Sequence, residues 1–560
     1  MTRLNIPIGI SDFSEIRQNN YYYIDKSALV SELLETAATK VTLITRPRRF
    51  GKTLAMSMLS SFFDITRNSR ALFDGLEVSG DAEVCSSWMN QYPTVFLTFK
   101  NVDGLTFSSA YGQLKYEIAD LYKRYDFLLS SERISEEEKR LFDQIRQRTA
   151  GEIEVRRSIQ LILQLLSEYY NKPAILLLDE YDVPLAKASS QGYYDEMLEV
   201  IRSMMITALK DNPSLRFAII TGCLKIAKES IFTGLNNFNV LSITDVGFEE
   251  YFGFTDQEVR EMLQYYGLSG QYDTVKEWYD GYRFGNMDVY CPWDVICYCG
   301  RLRLNPKAQP EAYWSNTSSN AVIRHFLEIA RLTTKQEIER LISGESIVKA
   351  VRQELTYKEM YDSPDNIWSV LFTTGYLTRR GDAEGMKLRL AIPNKEIRMI
   401  FEEQISEWFQ ETARKDGEAL NAFCEAFKNG DAKEAEKRFG GYLSRTISIR
   451  DTAVKKEMKE NYYHGILLGL LSYKEDWYVV SNRESGDGYC DILVEIDGEE
   501  TGIAIEVKYA RNGDLEAGCR KALEQIDERR YTEFLTEDGM TKILKYGVAC
   551  YKKKCRVMLG

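Results

Sequence analysis

Histidine and proline are scarce in this sequence, and a paired-cysteine motif is absent. Only two histidines occur in 560 residues, His325 and His464, and none of the ten cysteines forms a C-x-x-C pair. That excludes the Cys/His frameworks of structural zinc sites and leaves free, buried thiols in a reducing compartment as the plain reading. With only 11 prolines, 44% hydrophobic and 28% charged residues, the chain is globular and well packed, without disordered arms. No apolar run approaches membrane-crossing length, and the N-terminus "MTRLNIPIGISDF" lacks a signal-peptide core. The expectation is a cytoplasmic protein with no membrane partner. A net charge of -12 excludes a coat of positive charge but not a local basic channel. The basic run "YKKKCR" at 551–556 reads as a solvated end rather than a binding patch. Repeats and low-complexity segments are missing too, and the length suits about three or four domains.

What is present begins with "LITRPRRFGKTLAMSML", residues 43–59. Gly51, Lys52 and Thr53 follow the Walker A pattern, but Arg46 stands where the first glycine belongs and Pro47 follows it. The β-branched run 40–45 predicts a buried strand, and Leu54, Met58, Leu59 and Phe62 recur at helical spacing. Strand, turn and helix is the setting that aims loop N–H groups and a helix N-terminus at phosphates. Pro47 has no N–H, so the cradle is expected from Arg48, Arg49, Phe50, Gly51, Lys52 and Thr53.

An acid for Mg²⁺ is needed as well. "KPAILLLDEYDVPL" (172–185) supplies the pattern of four apolar residues followed by Asp179 and Glu180. Asp179, with Thr53, would hold Mg²⁺, and Glu180 would activate a water against the γ-phosphate. "LRFAIITG" (215–222) predicts another strand, whose Thr221 is either a polar sensor of the γ-phosphate or an ordinary strand residue. With a strand at 94–102 and helices over 156–170 and 192–210, the pattern predicts a mostly parallel sheet covered on both faces.

Four stretches, "IPIGISDFSEIRQNNYYYIDKSALVSELL", "LITRPRRFGKTL", "AILLLDEYDVPL" and "FAIITGCLKIAKESIFTGLNNF", together resemble the bacterial AAA-ATPase-like family. Members of that family typically carry a C-terminal nuclease-like domain of the PD-(D/E)XK superfamily. The resemblance makes Arg46 and Pro47 normal members of the loop. Lys225 departs from it, because arginine is common there.

Residues 248–300 are rich in aromatics and punctuated by Gly281, Gly285 and Pro292, which reads as a small helical subdomain whose rings serve the core. Farther on, a helix in "DNIWSVLFTTGYLTRR", a strand in "KLRLAIPN" and a helix in "KEIRMIFEEQISEWF" fit a winged-helix-like order. Arg379, Arg380, Lys387 and Arg389 surround the wing and would be the DNA-contacting groups.

The last hundred residues hold a second stretch with chemical content. "GYCDILVEIDGEETGIAIEVKYA" (488–510) predicts two strands joined at an Asp-Gly turn. Period-two geometry puts Glu506 and Lys508 on one face, and a hairpin brings Asp491 close. Two carboxylates and an ammonium suit metal-dependent phosphodiester cleavage, although a surface hairpin with a cross-strand ion pair has the same spacing. A helix over 457–473 carries Glu460 and His464 four apart, with Glu457 close by. A helix over 515–531 carries Gln525, and a single final strand is expected over 542–559. The resemblance to the PD-(D/E)XK superfamily implies metal binding by Asp491 and Glu506, catalysis by Lys508 and a supporting acid at Glu460, with His464 and Gln525 as further site residues.

The expected architecture is therefore α/β. It comprises an AAA-ATPase-like P-loop NTPase domain with a mostly parallel sheet at 1–245, a helical subdomain at 246–350 and a winged-helix-like segment at 351–410. A helical connector at 411–450 leads to an α/β, restriction-endonuclease-like domain at 451–560. The expected function is an ATP-binding, ATP-hydrolysing protein that regulates a nuclease using Mg²⁺ (or Mn²⁺) on nucleic acid, DNA favoured over RNA. The alternative is a nucleotide-sensing interaction protein whose nuclease fold is a binding platform that cuts nothing.

Overall fold

The computed structural model describes residues 3–35, 39–225, 238–314, 323, 332–357, 359–361, 363, 365–381, 387–414, 417–446, 456–474, 476–485, 488–510 and 512–560. The chain divides into two compact units, Met1–Asn316 with Lys349–Glu396, and Thr317–Val348 with Ile397–Gly560. Among the described residues, no helix is long and apolar enough to cross a membrane.

The first unit is built on a five-stranded parallel sheet. Its strands are β1 (Val41–Thr45), β2 (Thr94–Thr98), β3 (Ala174–Asp179), β4 (Leu215–Gly222) and β5 (Phe238–Leu241), in the order β2-β3-β4-β1-β5. Strands β1 and β3 are buried at every position, as continuous apolar runs in a sheet covered on both faces must be. One face presents Ile44, Ile175, Leu177, Phe217 and Ile219 to the helix Lys52–Phe63 and to Phe13, Leu29 and Leu33. Strand alternation sends Leu43, Leu176, Leu178, Ala218 and Ile220 to the other face. Helices Ser158–Tyr170 and Tyr194–Leu209 pack on β3 and β4 respectively.

The expected helix, strand and helix of the wing-like region are found at Asn366–Thr373, Lys387–Ala391 and Lys395–Arg414. A short strand at Thr378–Arg379 pairs antiparallel with the second of these. The basic groups there are partly engaged. Arg380 donates to the Pro393 carbonyl at 3.1 Å, and Arg379 donates to the Gly285 carbonyl.

The second unit contains a mixed sheet of β6 (Tyr478–Ser485), β7 (Gly488–Ile496), β8 (Thr501–Tyr509), β9 (Lys542–Tyr551) and β10 (Lys554–Leu559), paired in that order. Every pair is antiparallel except β8 with β9, which the helix Leu515–Glu528 connects as a crossover. Helices Gly417–Lys428, Ala432–Thr446 and Lys456–Leu471 cover one face, burying Phe423, Phe427, Phe439 and Leu467 against Ile492, Val494, Ile505 and Val507. Ile526, Tyr531 and Leu535 pack with Leu493 and Ala504 on the other. The single final strand expected over 542–559 is two strands. Lys552, with φ of 56°, and Lys553 form the tight turn between them, so the basic run lies at a hairpin tip. Strand β6 has no sequence forecast, because its second half, "SNRES", is wholly polar.

Candidate functional site

The loop after β1 is built around Arg46, whose side chain is fully buried. Its Nη1 donates to the carbonyls of Thr45, Leu241 and Ser242 at 2.9, 3.0 and 2.9 Å. Its guanidinium also lies 5.5 and 5.3 Å from the ring centres of Phe252 and Phe284. The residue in the first-glycine position thus ties the end of β1 to the end of β5. Burial pulls its pKa down to about 10, against the pull of Glu249 and Asp245, so it stays charged at neutral pH.

Beyond it the backbone turns through Arg49 (φ 72°) and Gly51 (φ 82°), and Gly51 caps the helix Lys52–Phe63. Glycine is the residue that adopts this left-handed conformation at no steric cost. The Phe50 side chain is buried between Tyr282 and Phe284, with ring centres 4.9 Å away in both cases. Arg49 donates to the Tyr313 carbonyl at 2.7 Å and lies 4.8 Å from the Trp293 ring centre. These two side chains are committed to packing, so any cradle role falls to their backbone N–H groups. Arg48 is exposed and close enough to feel Cys223 and Glu180.

Lys52 Nζ donates to the carbonyls of Arg46 and Pro47 at 3.1 and 3.0 Å, and it lies 3.5 Å from Glu180 Oε1. Burial works against the ammonium, but Cys223, Glu180, Asp179 and Asp182 outweigh it and raise its pKa. The fully buried Asp179 accepts from Thr53 Oγ1 at 2.8 Å on one oxygen and from Thr221 Oγ1 at 2.6 Å on the other. Burial and the neighbouring Glu180 raise its pKa, and the hydroxyls of Thr221 and Thr53 hold it down. The structure therefore gathers Lys52, Thr53, Asp179, Glu180 and Thr221 at the C-terminal ends of β1, β3 and β4. An apolar cavity adjoins the loop and is lined by Tyr22, Phe50, Leu54, Phe254, Met262 and Ile296.

Sequence reasoning missed the groups behind these. Asp182 is buried, and its Oδ2 accepts the N–H groups of Cys223 and Leu224, both at 3.0 Å, and the hydroxyl of Tyr357 at 3.2 Å. An acid two residues past Glu180 was readable as a signal; Tyr357 carried none. Lys225, where the resemblance leads one to expect arginine, pairs with Glu354 at 2.8 Å.

In the second unit, Asp491 lies within β7, and its Oδ2 accepts the N–H of Val507 on β8 at 2.8 Å. Glu506 and Lys508 share a face and form an ion pair of 2.7 Å, with Glu506 almost fully buried. Among the described residues, Glu506 Oε2 is buried without a hydrogen-bond partner. Burial, then Asp491, pushes the Glu506 pKa up to about 7, against Lys508. Burial disfavours the Lys508 ammonium, yet Glu506, Glu460 and Asp491 together raise its pKa.

The helix Lys456–Leu471 braces this hairpin at two points. Glu460 Oε1 accepts the Tyr509 N–H at 3.0 Å, and His464 Nε2 lies 2.8 Å from the Asp491 carbonyl oxygen and 3.0 Å from Ser481 Oγ. The Glu457 side chain lies outside the described residues. Gln525 donates to the Tyr531 hydroxyl at 3.2 Å, and Tyr531 is close enough to feel Glu506 and Asp491. Among the described residues, no three His, Cys, Asp or Glu side chains gather as a metal-binding group. The two carboxylates, one with an unpartnered buried oxygen, still fit a divalent ion held by a pair of acids.

Residues 7–232 match the family model described as a predicted AAA-ATPase, and residues 458–559 match that of the PD-(D/E)XK nuclease superfamily. One relative, described as an uncharacterized protein in the vnfD 5′ region of Azotobacter chroococcum mcd 1, is 26% identical over 414 residues, covering 72% of this chain and 70% of the relative. The parallel sheet with its loop and the mixed sheet with its hairpin thus have their counterparts in known families, and the chain carries an AAA-ATPase-like region followed by a C-terminal PD-(D/E)XK nuclease-superfamily domain.

Proposed function

We propose that the first unit binds and hydrolyses ATP and that its nucleotide state regulates a metal-dependent nuclease in the second. The observation that carries this reading is the Thr53–Asp179–Thr221 chain of hydrogen bonds beside Lys52 and Glu180. Thr53 and Asp179 would hold Mg²⁺, which when bound neutralises charge on the β- and γ-phosphates. Lys52 exchanges its carbonyl partners for phosphate oxygens, Arg48 adds a second positive charge, and the N–H groups from Arg48 to Thr53 donate to the phosphates. Glu180 orients a water and takes its proton, while Thr221 fixes Asp179. The apolar cavity beside Leu54 takes the base. In the second unit Asp491 and Glu506 would hold Mg²⁺ or Mn²⁺, which supplies an activated water and steadies the developing charge. Lys508 orients that water or the phosphate, with Glu460 and His464 fixing the hairpin. The partner is nucleic acid, DNA ahead of RNA, in a cytoplasmic setting.

Purified protein incubated with ATP and with single- and double-stranded DNA and RNA, in Mg²⁺ or Mn²⁺, tests both halves. Lys52→Ala should remove ATP turnover, and Asp491→Ala should remove cleavage while sparing it. An Asp491→Ala protein that cuts at the wild-type rate refutes the second site. One observation favours a rival reading, the nuclease fold as a platform that binds without cutting: among the described residues, no third acid joins Asp491 and Glu506. Binding without cleavage in every metal would establish it.

A further inference from the structure

The turn after β4 is held by groups that ATP chemistry does not use. Gly222 is pressed so closely on Tyr181 and Asp182 that a Cβ there would fall 2.5 Å from the Tyr181 ring and 2.7 Å from Asp182 Oδ1. The Tyr181 hydroxyl donates to the Leu224 carbonyl at 2.7 Å, and Asp182 Oδ2 takes the N–H groups of Cys223 and Leu224. The turn in turn places Cys223 Sγ, two residues after Thr221, 3.7 Å from Lys52 Nζ. The third donor to Asp182 Oδ2 is Tyr357, 175 residues farther along the chain.

Tyr357 belongs to a short strap, residues 353–357, anchored at three more points. Gln353 Nε2 donates to Thr244 Oγ1 at 2.6 Å, Glu354 pairs with Lys225 at 2.8 Å, and the Tyr357 carbonyl accepts from Ser189 Oγ at 3.4 Å. Ser189, Lys225 and Thr244 follow β3, β4 and β5 respectively, so the strap crosses the edge of the sheet where Lys52, Asp179 and Thr221 meet. Asp182 is a buried carboxylate that relies on its few donors, and hydrogen bonds to charged groups are the stronger kind.

We propose that Tyr357 is a positioning residue of the ATP site: acting through Asp182, its hydroxyl holds the Gly222–Leu224 turn against Lys52 and Thr221, and the strap ties the Lys349–Glu396 segment of the first unit to that site. The effect on turnover rests on the ATPase reading above; the effect on the turn does not.

The test uses the full chain carrying Cys85→Ser, because Cys85 and Cys223 are the two cysteines that are not buried. Adding Tyr357→Phe keeps the ring and removes the hydroxyl. Loss of a hydrogen bond to a charged group predicts a kcat for ATP about tenfold lower with KM changed by less than about twofold. Maleimide labelling of Cys223 without nucleotide should become several-fold faster. In an Asp182→Asn background the same change should add little to either readout. Unchanged kcat and unchanged Cys223 labelling overturn the proposal, as does faster labelling of the eight buried cysteines together with Cys223, which marks general loosening. Should the wild type turn over no ATP, the ATPase reading fails and the labelling rates alone decide the positioning role.

Discussion

Asp179 and Asp491 are both aspartates at the ends of apolar runs, yet they are held in opposite ways. Asp179 is fixed by two hydroxyls, from Thr53 on the following helix of one βα unit and from Thr221 on another strand, which lie 126 residues before it and 42 after it in sequence. Asp491 is fixed by a backbone N–H only 16 residues away, across one hairpin. The first site exists only when a whole sheet has formed, and its geometry depends on buried side chains that hold one another. The second is largely determined by the ladder between β7 and β8, with the helix bearing Glu460 and His464 as a brace. Deletions should therefore propagate in the first site and stay local in the second.

The largest effects test the reacting groups. Lys52→Ala should lower ATP turnover by at least about a hundredfold, the scale of losing a preorganised charge at a phosphoryl group, while nucleic-acid cleavage per bound metal stays measurable. Asp491→Ala should do the reverse, with cleavage below detection in a gel assay and ATP turnover unchanged. If each variant loses both activities to the same degree, the two sites are not separable and the contrast fails.

Arg46→Ala is next. It leaves the carbonyls of Thr45, Leu241 and Ser242 without this donor and should cost about 3 kcal/mol, read as a lower Tm. Arg49→Ala removes one carbonyl partner and a ring contact and should cost less. A larger loss at Arg49 would mean that the Arg46 pin is not what closes the loop.

A pH effect of middle size is expected from the first unit. Burial, then the adjacent Asp294 carboxyl, pushes Glu396 up from 4.5 to about 10. The folded state keeps a proton there that the unfolded chain sheds above about pH 4.5. This contribution to stability is complete below the unfolded pKa and is lost as pH rises toward the folded one. Between pH 6 and 9 the wild-type Tm should fall more steeply than that of Glu396→Gln; equal slopes would remove Glu396 as the cause. The smallest effect belongs to the brace. His464→Ala should slow cleavage by less than about tenfold, because one hydrogen bond to a backbone carbonyl is worth about 1 kcal/mol. A loss as complete as that of Asp491→Ala would make the second site as interdependent as the first.

The contrast also explains what could be read in advance. The strands at 41–45, 94–98, 174–179 and 215–222 announce themselves as apolar runs, and the hairpin at 488–509 by its alternation and Asp-Gly turn. Lys52, Thr53 and Asp179 follow from spacing, and Glu506 with Lys508 from the period of a strand. What escaped has no local signature of its partners, even where the residue itself, Asp182, stands in the motif. Arg46 as a structural pin, Asp182 under the Gly222–Leu224 turn and Tyr357 on its strap are all defined by long-range hydrogen bonds, which sequence periodicity does not encode. The split of the last strand escaped for a simpler reason: "YKKKCR" has neither glycine nor asparagine at its turn, and Lys552 takes the left-handed conformation instead.

The most direct measurement follows cleavage of end-labelled single- and double-stranded DNA and RNA in Mg²⁺, with and without ATP, by wild type, Lys52→Ala and Asp491→Ala, with ATP hydrolysis recorded in the same tubes. An ATP-dependent change in cleavage is expected of the wild type, loss of that dependence in Lys52→Ala, and hydrolysis without cleavage in Asp491→Ala. Cleavage at one rate with and without ATP in both wild type and Lys52→Ala would contradict that expectation.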